Sequence, residues 1–118
     1  MKKVLIVDDS RTSRKMLREL LEELGYEVAS EAVNGEEGYL KYKELKPDLV
    51  TLDITMPKMD GIQTLQLIKK ENADAVVIMI TAAGQNEKMI QAIKHGAAEF
   101  ITKPYDKEDV EKILTNIE

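Results

Sequence analysis

Five short apolar runs alternate along the chain with longer stretches in which apolar residues recur at helical spacing. Four of the runs are nearly continuous in apolar residues, a pattern typical of parallel strands that are covered on both faces. The second run also contains Ser30 and Glu31, which favours a position at the edge of a sheet. The predicted strands are residues 4–7, 27–33, 49–52, 75–80 and 99–102.

A helical segment follows each of these runs. Asn34 with Glu37 and Asp60 with Gln63 have the spacing of a capping box, which predicts where the second and third helices begin. The first helix should end at Gly25, because glycine commonly follows the last turn of a helix. The apolar faces of the first, fourth and fifth helices are assigned to Met16, Leu17, Leu20, Leu21 and Leu24, to Met89, Ile90 and Ile93, and to Val110, Ile113, Leu114 and Ile117.

This alternation predicts an α/β fold with one parallel sheet and helices on both of its faces, because crossovers between parallel strands are right-handed in nearly all proteins. Five repeats are too few to close an eight-stranded barrel, so we expect an open, doubly wound sheet with five helices. In such sheets, ligands bind beyond the carboxyl ends of the strands, where the strand order reverses.

Composition narrows the possible functions. The 118 residues suffice for one domain, and we expect residues 1–118 to form it without a separate output domain. A net charge of −5 disfavours nucleic acid as the main partner, and the absence of cysteine excludes disulfides and thiolate chemistry. No apolar run approaches the roughly 20 residues of a membrane-spanning helix. We therefore expect a cytoplasmic monomer with no nucleic-acid or membrane partner.

Polar residues with complementary chemistry follow four of the predicted strands. Asp8 and Asp9 follow the first strand, Asp53 the third, Thr81 the fourth and Lys103 the fifth. Three carboxylates in a small volume repel one another unless a cation is bound, and oxygen ligands without histidine or cysteine suit Mg²⁺, with Mn²⁺ as the alternative. Thr81 and Lys103 could then hold the oxygens of a transferring phosphoryl group, with Asp53 as the nucleophile.

Each of these residues also has a simpler explanation when it is taken alone. Asp8 and Asp9 could cap the first helix, Asp53 could be a turn residue, and Lys103 could belong to an ordinary loop. Only the joint occurrence at one sheet edge points to chemistry.

These motifs resemble the receiver domain of bacterial two-component response regulators. Asp53 lies 44 positions after Asp9, Thr81 lies 28 positions further on, and Lys103 follows after another 22. The segments that carry the resemblance are residues 4–9, 47–61, 81–82 and 103–104, and the likeness covers essentially the whole chain. It implies a flavodoxin-like sheet with the strand order 2-1-3-4-5.

The resemblance also implies a metal and a phosphorylation site. Asp53 would accept a phosphoryl group from a phosphohistidine on a sensor histidine kinase. Mg²⁺ would be held by Asp9, Asp53 and the backbone carbonyl of Thr55, with Asp8 acting through a water molecule.

A switch is implied as well. Thr81 and Lys103 would bind the phosphoryl oxygens, and Phe100 would occupy the aromatic position whose rotamer follows Thr81. The face formed by the fourth helix, fifth strand and fifth helix would then repack to bind a partner. Tyrosine is common at the position of Phe100, so a hydroxyl contact to that partner is not expected here.

The implied role is that of a signalling protein, not an enzyme, although it would assist its own phosphorylation and dephosphorylation. Similarity to chemotaxis receivers favours the flagellar motor switch as the output partner, and a phosphatase is a further expected partner. A phosphorelay shuttle to a histidine phosphotransfer protein would need the same site and remains an alternative.

Two other classes share part of the pattern. A flavodoxin-like FMN carrier has the same fold, but Asp8 and Asp9 would repel the cofactor's phosphate. A phosphohydrolase with an aspartyl nucleophile shares the chemistry, yet Thr55 stands where a second acid is expected and no cap segment is present.

Overall fold

The computed structural model describes residues 2–117, which form five strands and five helices in strict alternation. The strands are β1 (Lys3–Val7), β2 (Glu27–Ala32), β3 (Leu49–Asp53), β4 (Val77–Thr81) and β5 (Glu99–Thr102). The helices are α1 (Arg11–Glu23), α2 (Gly35–Leu45), α3 (Gly61–Glu71), α4 (Asn86–Lys94) and α5 (Lys107–Ile117).

All five strands pair in parallel, in the order β2-β1-β3-β4-β5. This confirms the predicted flavodoxin-like, doubly wound α/β sheet, including the mixed second strand at its edge. The pairing of β1 with β2 shifts by one residue after Val4, where Val28 and Ser30 of β2 face consecutive residues of β1. The order reverses between β1 and β3, which places the expected site at the carboxyl ends of these two strands.

Two apolar layers cover the sheet. One lies between the sheet and α2, α3 and α4, and the other lies between the sheet and α1 and α5. Gly38 lets α2 pack closely against β1, because a Cβ atom at this position would lie 2.8 Å from Cγ1 of Val7. None of the described helices has the length and apolar character needed to cross a bilayer.

Helix capping follows the predicted spacing. Asp60 and Gln63 form a reciprocal capping box at the start of α3. At the start of α2, the Asn34 side chain accepts from the N–H of Glu37, while the Glu37 carboxylate accepts from the N–H of Val33 instead of the cap residue. Both helices therefore begin where the sequence predicts.

Several predicted details were wrong. The fourth strand is Val77–Thr81, not residues 75–80, because its pairing with β3 begins at Val77. Met16 is 53% exposed, since α1 rests on the sheet through Leu17 and Leu21 and Met16 lies at the far edge of that face.

The predicted apolar face of α4 was wrong for Ile90 and Ile93, although Met89 packs against the core as predicted. This helix turns Ala92 into the core and leaves Ile90 and Ile93 more than half exposed. These two isoleucines therefore form an apolar surface instead of core.

Candidate functional site

The sheet topology gathers four of the predicted polar residues at one edge. Asp8 and Asp9 follow β1, and Asp53 is the last residue of the neighbouring strand β3. Carboxylate oxygens of these three residues all lie within 4.8 Å of one another. The Nζ atom of Lys103, which follows β5, lies 3.7 Å from Oδ2 of Asp8 and 3.7 Å from Oδ2 of Asp53. Three carboxylates thus lie close together, and the Lys103 amine is the cation nearest to two of them.

The loop that carries Asp8 is held on several sides. The Asp8 N–H donates to the carbonyl of Ala32 on β2 at 3.1 Å, and Oδ1 of Asp8 accepts from the N–H of Ser10 at 2.8 Å. Arg14 on α1 donates from Nη1 to the Asp8 carbonyl at 2.7 Å and from Nε to Glu31 on β2 at 3.0 Å. These contacts fix the backbone beneath the acidic pair.

Arg14 is a supporting residue that the sequence reasoning missed. Its side chain is only 13% exposed, and it joins α1 to β2 directly behind the site. Glu31, the polar residue that marked the second strand as mixed, is its ion-pair partner. The charge of Glu31 inside a predicted edge strand was therefore the sequence feature that could have indicated a basic partner such as Arg14.

The electrostatics of the cluster act most strongly on Asp53. Burial and the charge of Asp8 raise the pKa of its carboxyl from 3.8 to about 6, and the charge of Asp9 adds to this. Lys103 and a hydrogen bond from the Ile54 backbone act in the opposite direction but do not compensate. The site therefore favours a bound cation, because added positive charge would stabilise the ionised carboxylate.

Thr81 is brought to the same edge, but its hydroxyl faces a different partner. The side chain is fully buried, and Oγ1 donates to Oγ1 of Thr102 at 3.5 Å. Thr81 pairs with Thr102 in the β4–β5 ladder, and Met79 pairs with Phe100 two residues earlier. Because side chains alternate along a strand, Thr81 and Phe100 lie on the same face of the sheet.

Phe100 is half-buried against the layer that contains α4. At β5, the edge strand of the sheet, a cleft of about 320 Å³ is lined by residues that include Phe100 and Ile113 of α5. The predicted switch pair therefore connects the acidic edge with the α4–β5–α5 surface.

Thr55 is exposed and follows Asp53 by two residues in the β3–α3 loop. Its Oγ1 accepts from Nε2 of Gln85 at 2.7 Å, while Oε1 of Gln85 accepts from the N–H of Ala82 at 2.8 Å. Segment 83–85 contributes to the similarity with chemotaxis receivers, but the sequence assigned no role to the Gln85 side chain, because its two partners lie in loops that only the fold brings together.

Tyr105 is a third residue that the sequence reasoning missed. Burial, followed by the charges of Asp8 and Asp53, raises the pKa of its phenol to about 12. The ring also lines a cleft of about 320 Å³ beside the acidic cluster, together with Met16 and Lys103. The tyrosine thus stands at the border between the site and an apolar groove.

Comparison with known proteins identifies the fold family. The family model described as the response regulator receiver domain matches residues 4–115. The chain belongs to this family. The chain is 49% identical to the chemotaxis protein CheY of Thermotoga maritima over 116 residues, covering 98% of this chain and 97% of that protein.

Further relatives agree with this assignment. The chemotaxis protein CheY of Bacillus subtilis is 49% identical over 108 residues, covering 92% of this chain and 90% of that protein. Among solved structures, a chain of the CheX-CheY-BeF3-Mg+2 complex from Borrelia burgdorferi superposes with a TM-score of 0.94 at 41% identity. That match covers 98% of this chain and 88% of the other. This receiver is thus similar to chemotaxis receivers over nearly its whole length.

Proposed function

We propose that this receiver takes a phosphoryl group from a phosphohistidine of a sensor histidine kinase onto a carboxylate oxygen of Asp53. The observation that carries the proposal is the juxtaposition of three carboxylates within 4.8 Å of one another and a lysine amine 3.7 Å from two of them. Metal ions and cationic side chains are the groups that stabilise a transferring phosphoryl group.

The reaction is a direct displacement. An oxygen of the Asp53 carboxylate attacks phosphorus, the bond from phosphorus to the histidine nitrogen breaks, and an acyl phosphate forms on Asp53. Lys103 is placed to balance the charge of the phosphoryl oxygens. The Thr81 hydroxyl leaves its hydrogen bond to Thr102 and donates to a phosphoryl oxygen instead.

The donor set fits Mg²⁺, with Mn²⁺ as the alternative. Asp8, Asp9 and Asp53 offer only oxygen ligands, and the pKa of Asp53 stays raised by burial and by its acidic neighbours although Lys103 lowers it. The backbone carbonyl of Thr55 would complete the protein ligands. When bound, the metal supplies charge neutralisation for the incoming phosphoryl oxygens.

The signal then passes to the α4–β5–α5 surface. Movement of Thr81 away from Thr102 opens space on the sheet face that Phe100 shares. Phe100 already borders a cleft beside α5, and the exposed Ile90 and Ile93 lie on α4. Repacking of Phe100 would thus alter an apolar surface that is suited to binding another protein.

Chemotaxis is the pathway that the relatives favour. The proteins named chemotaxis protein CheY are covered by this chain over 97% and 90% of their own lengths, which supports a role in chemotaxis. We infer that the output partner of this signalling protein is the flagellar motor switch. The complex of CheX with CheY, BeF3 and Mg supports a further partner that acts on the phosphorylated form, such as a phosphatase.

Transfer from a kinase tests the proposal. A chemotaxis histidine kinase labelled with radioactive phosphate is mixed with the wild type, Asp53→Asn and Asp74→Asn. Asp74 is an exposed carboxylate in the α3–β4 loop and serves as the matched control. We expect label on the wild type and Asp74→Asn only, and label on Asp53→Asn would contradict the assignment.

Partner choice is tested separately with beryllofluoride, which mimics the phosphoryl group. Tighter binding to a motor-switch protein in its presence supports the chemotaxis output. Transfer of the label to a histidine phosphotransfer protein, without binding to the motor switch, would instead establish the phosphorelay shuttle.

A further inference from the structure

The side chain of Gln85 crosses between two loops of the site. Its Oε1 accepts from the backbone N–H of Ala82 at 2.8 Å, and its Nε2 donates to Oγ1 of Thr55 at 2.7 Å. Ala82 directly follows β4, and Thr55 belongs to the loop after β3. One amide group therefore joins the connections that leave two adjacent strands.

This use of Gln85 is unusual for its place in the chain. Gln85 is the N-cap residue of α4, yet its side chain makes no capping hydrogen bond to that helix, as judged within residues 2–117. The N-cap side chains of α1, α2 and α3, in contrast, all accept from the first turn of their own helices. The Gln85 amide thus serves the site and leaves α4 uncapped.

The preceding glycine makes this geometry possible. Gly84 has a φ of +88°, a conformation that strongly favours glycine, and it turns the chain so that the Gln85 side chain points back to Ala82. A Cβ atom at Gly84 would meet nothing within 4 Å, so the turn, not crowding, requires glycine at this position.

The bridge lies just beyond the end of the strand that carries the phosphoryl acceptor. Asp53 pairs with Ile80 in the β3–β4 ladder, and Thr55 and Ala82 are each two residues beyond this pair. Gln85 therefore joins the two chain segments that leave β3 and β4 directly after Asp53 and Thr81. It also occupies the Ala82 N–H, a donor that follows Thr81 immediately.

We propose that Gln85 is a positioning residue that acts as a gate, holding Ala82 and Thr55 together and so limiting access of phosphodonor and water to Asp53. This inference rests on the proposed phosphorylation of Asp53. A gate slows phosphorylation and hydrolysis alike, because the small donor and the attacking water must each pass the same bridge to reach Asp53. Removing the bridge should therefore raise both rates and leave the steady-state level of phosphorylation unchanged.

The test compares Gln85→Ala with the wild type and with Gln91→Ala, an exposed glutamine of α4 that serves as the matched control. Phosphorylation by acetyl phosphate with Mg²⁺, and loss of the phosphoryl group after the donor is removed, are followed by intact mass. We expect both rate constants of Gln85→Ala to rise about fivefold, a factor typical of one neutral hydrogen bond. Gln91→Ala should match the wild type.

A double-mutant cycle with Thr55→Val tests the bridge itself. This variant removes the hydroxyl acceptor and keeps the backbone carbonyl. If the two side chains act through one bridge, the double variant should be no faster than Gln85→Ala alone. Additive effects would overturn the gate.

A readout without metal or phosphate completes the experiment. Amide hydrogen exchange by NMR should show faster exchange at Ala82 in Gln85→Ala than in the wild type. Unchanged exchange, an unchanged rate constant or rate constants that move in opposite directions would each overturn the gate, while the phosphorylation of Asp53 would stand. A wild type that gains no phosphoryl group would overturn the proposed function and the gate with it.

Discussion

The raised pKa of Asp53 predicts a specific dependence of stability on pH in the absence of metal. The pKa rises from 3.8 to about 6 on folding, and the side chain is only 13% exposed. Below pH 3.8 the carboxyl is neutral in both states and costs nothing. Between pH 3.8 and 6 the unfolded chain releases the proton while the folded protein retains it, so the free energy of unfolding falls as pH rises.

The magnitude follows from the size of this shift. A shift of about two pH units at 1.36 kcal/mol per unit corresponds to roughly 3 kcal/mol, which is fully lost above pH 6. Asp53→Asn keeps the shape of the side chain but cannot ionise. It should be as stable as the wild type near pH 3.5 and more stable by about 3 kcal/mol at pH 7.

Urea denaturation in EDTA from pH 3.5 to 8 measures this difference, with Asp74→Asn as the exposed control. Mg²⁺ at about 100 times its dissociation constant should restore about 2.7 kcal/mol to the wild type at pH 7. A stability difference between Asp53→Asn and the wild type that stays constant over this pH range would refute the electrostatic reasoning.

Three further substitutions test the site and its supports. Lys103→Met should tighten Mg²⁺ binding, measured by calorimetry, because it removes a competing cation 3.7 Å from Asp53, yet it should slow phosphorylation by acetyl phosphate at least about tenfold. Arg14→Met should lower the free energy of unfolding by about 2 kcal/mol in urea, since it removes the side-chain donor to the Asp8 carbonyl and leaves Glu31 with Arg18 as its remaining arginine partner. Gly61→Ala should abolish phosphorylation, because its Cβ would lie 2.3 Å from the Asp53 carbonyl oxygen, and a normal rate of phosphorylation would show that the loop adapts freely.

The sequence predicted the sheet and the acidic edge because both depend on strong local patterns. Continuous apolar runs identify buried strands, and polar residues directly after parallel strands must meet at one edge. The positions of Asp8, Asp53 and Lys103 follow from that topology alone, once β1 is placed beside β3.

Details that depend on tertiary packing could not be predicted in the same way. Ile90 and Ile93 have helical spacing, but the choice between them and Ala92 as the inner face depends on how α4 approaches the sheet. Helical period shows that an apolar stripe exists and does not show which neighbour covers it.

Side-chain hydrogen bonds between distant segments could not be predicted from the sequence either. Arg14 and Glu31 are 17 positions apart, and Gln85 and Thr55 are 30 positions apart. Their hydrogen bonds exist only because the fold brings separate loops together. The supporting residues of the site therefore emerge from the structure, while its charged centre is already visible in the sequence.

The most direct test of phosphorylation at Asp53 is the intact mass of the protein after incubation with acetyl phosphate and Mg²⁺, followed by rapid quenching and peptide mapping. We expect a gain of one phosphoryl group that maps to Asp53, and no gain for Asp53→Asn or in EDTA. A phosphoryl group on another residue, or no adduct together with no beryllofluoride binding, would contradict it.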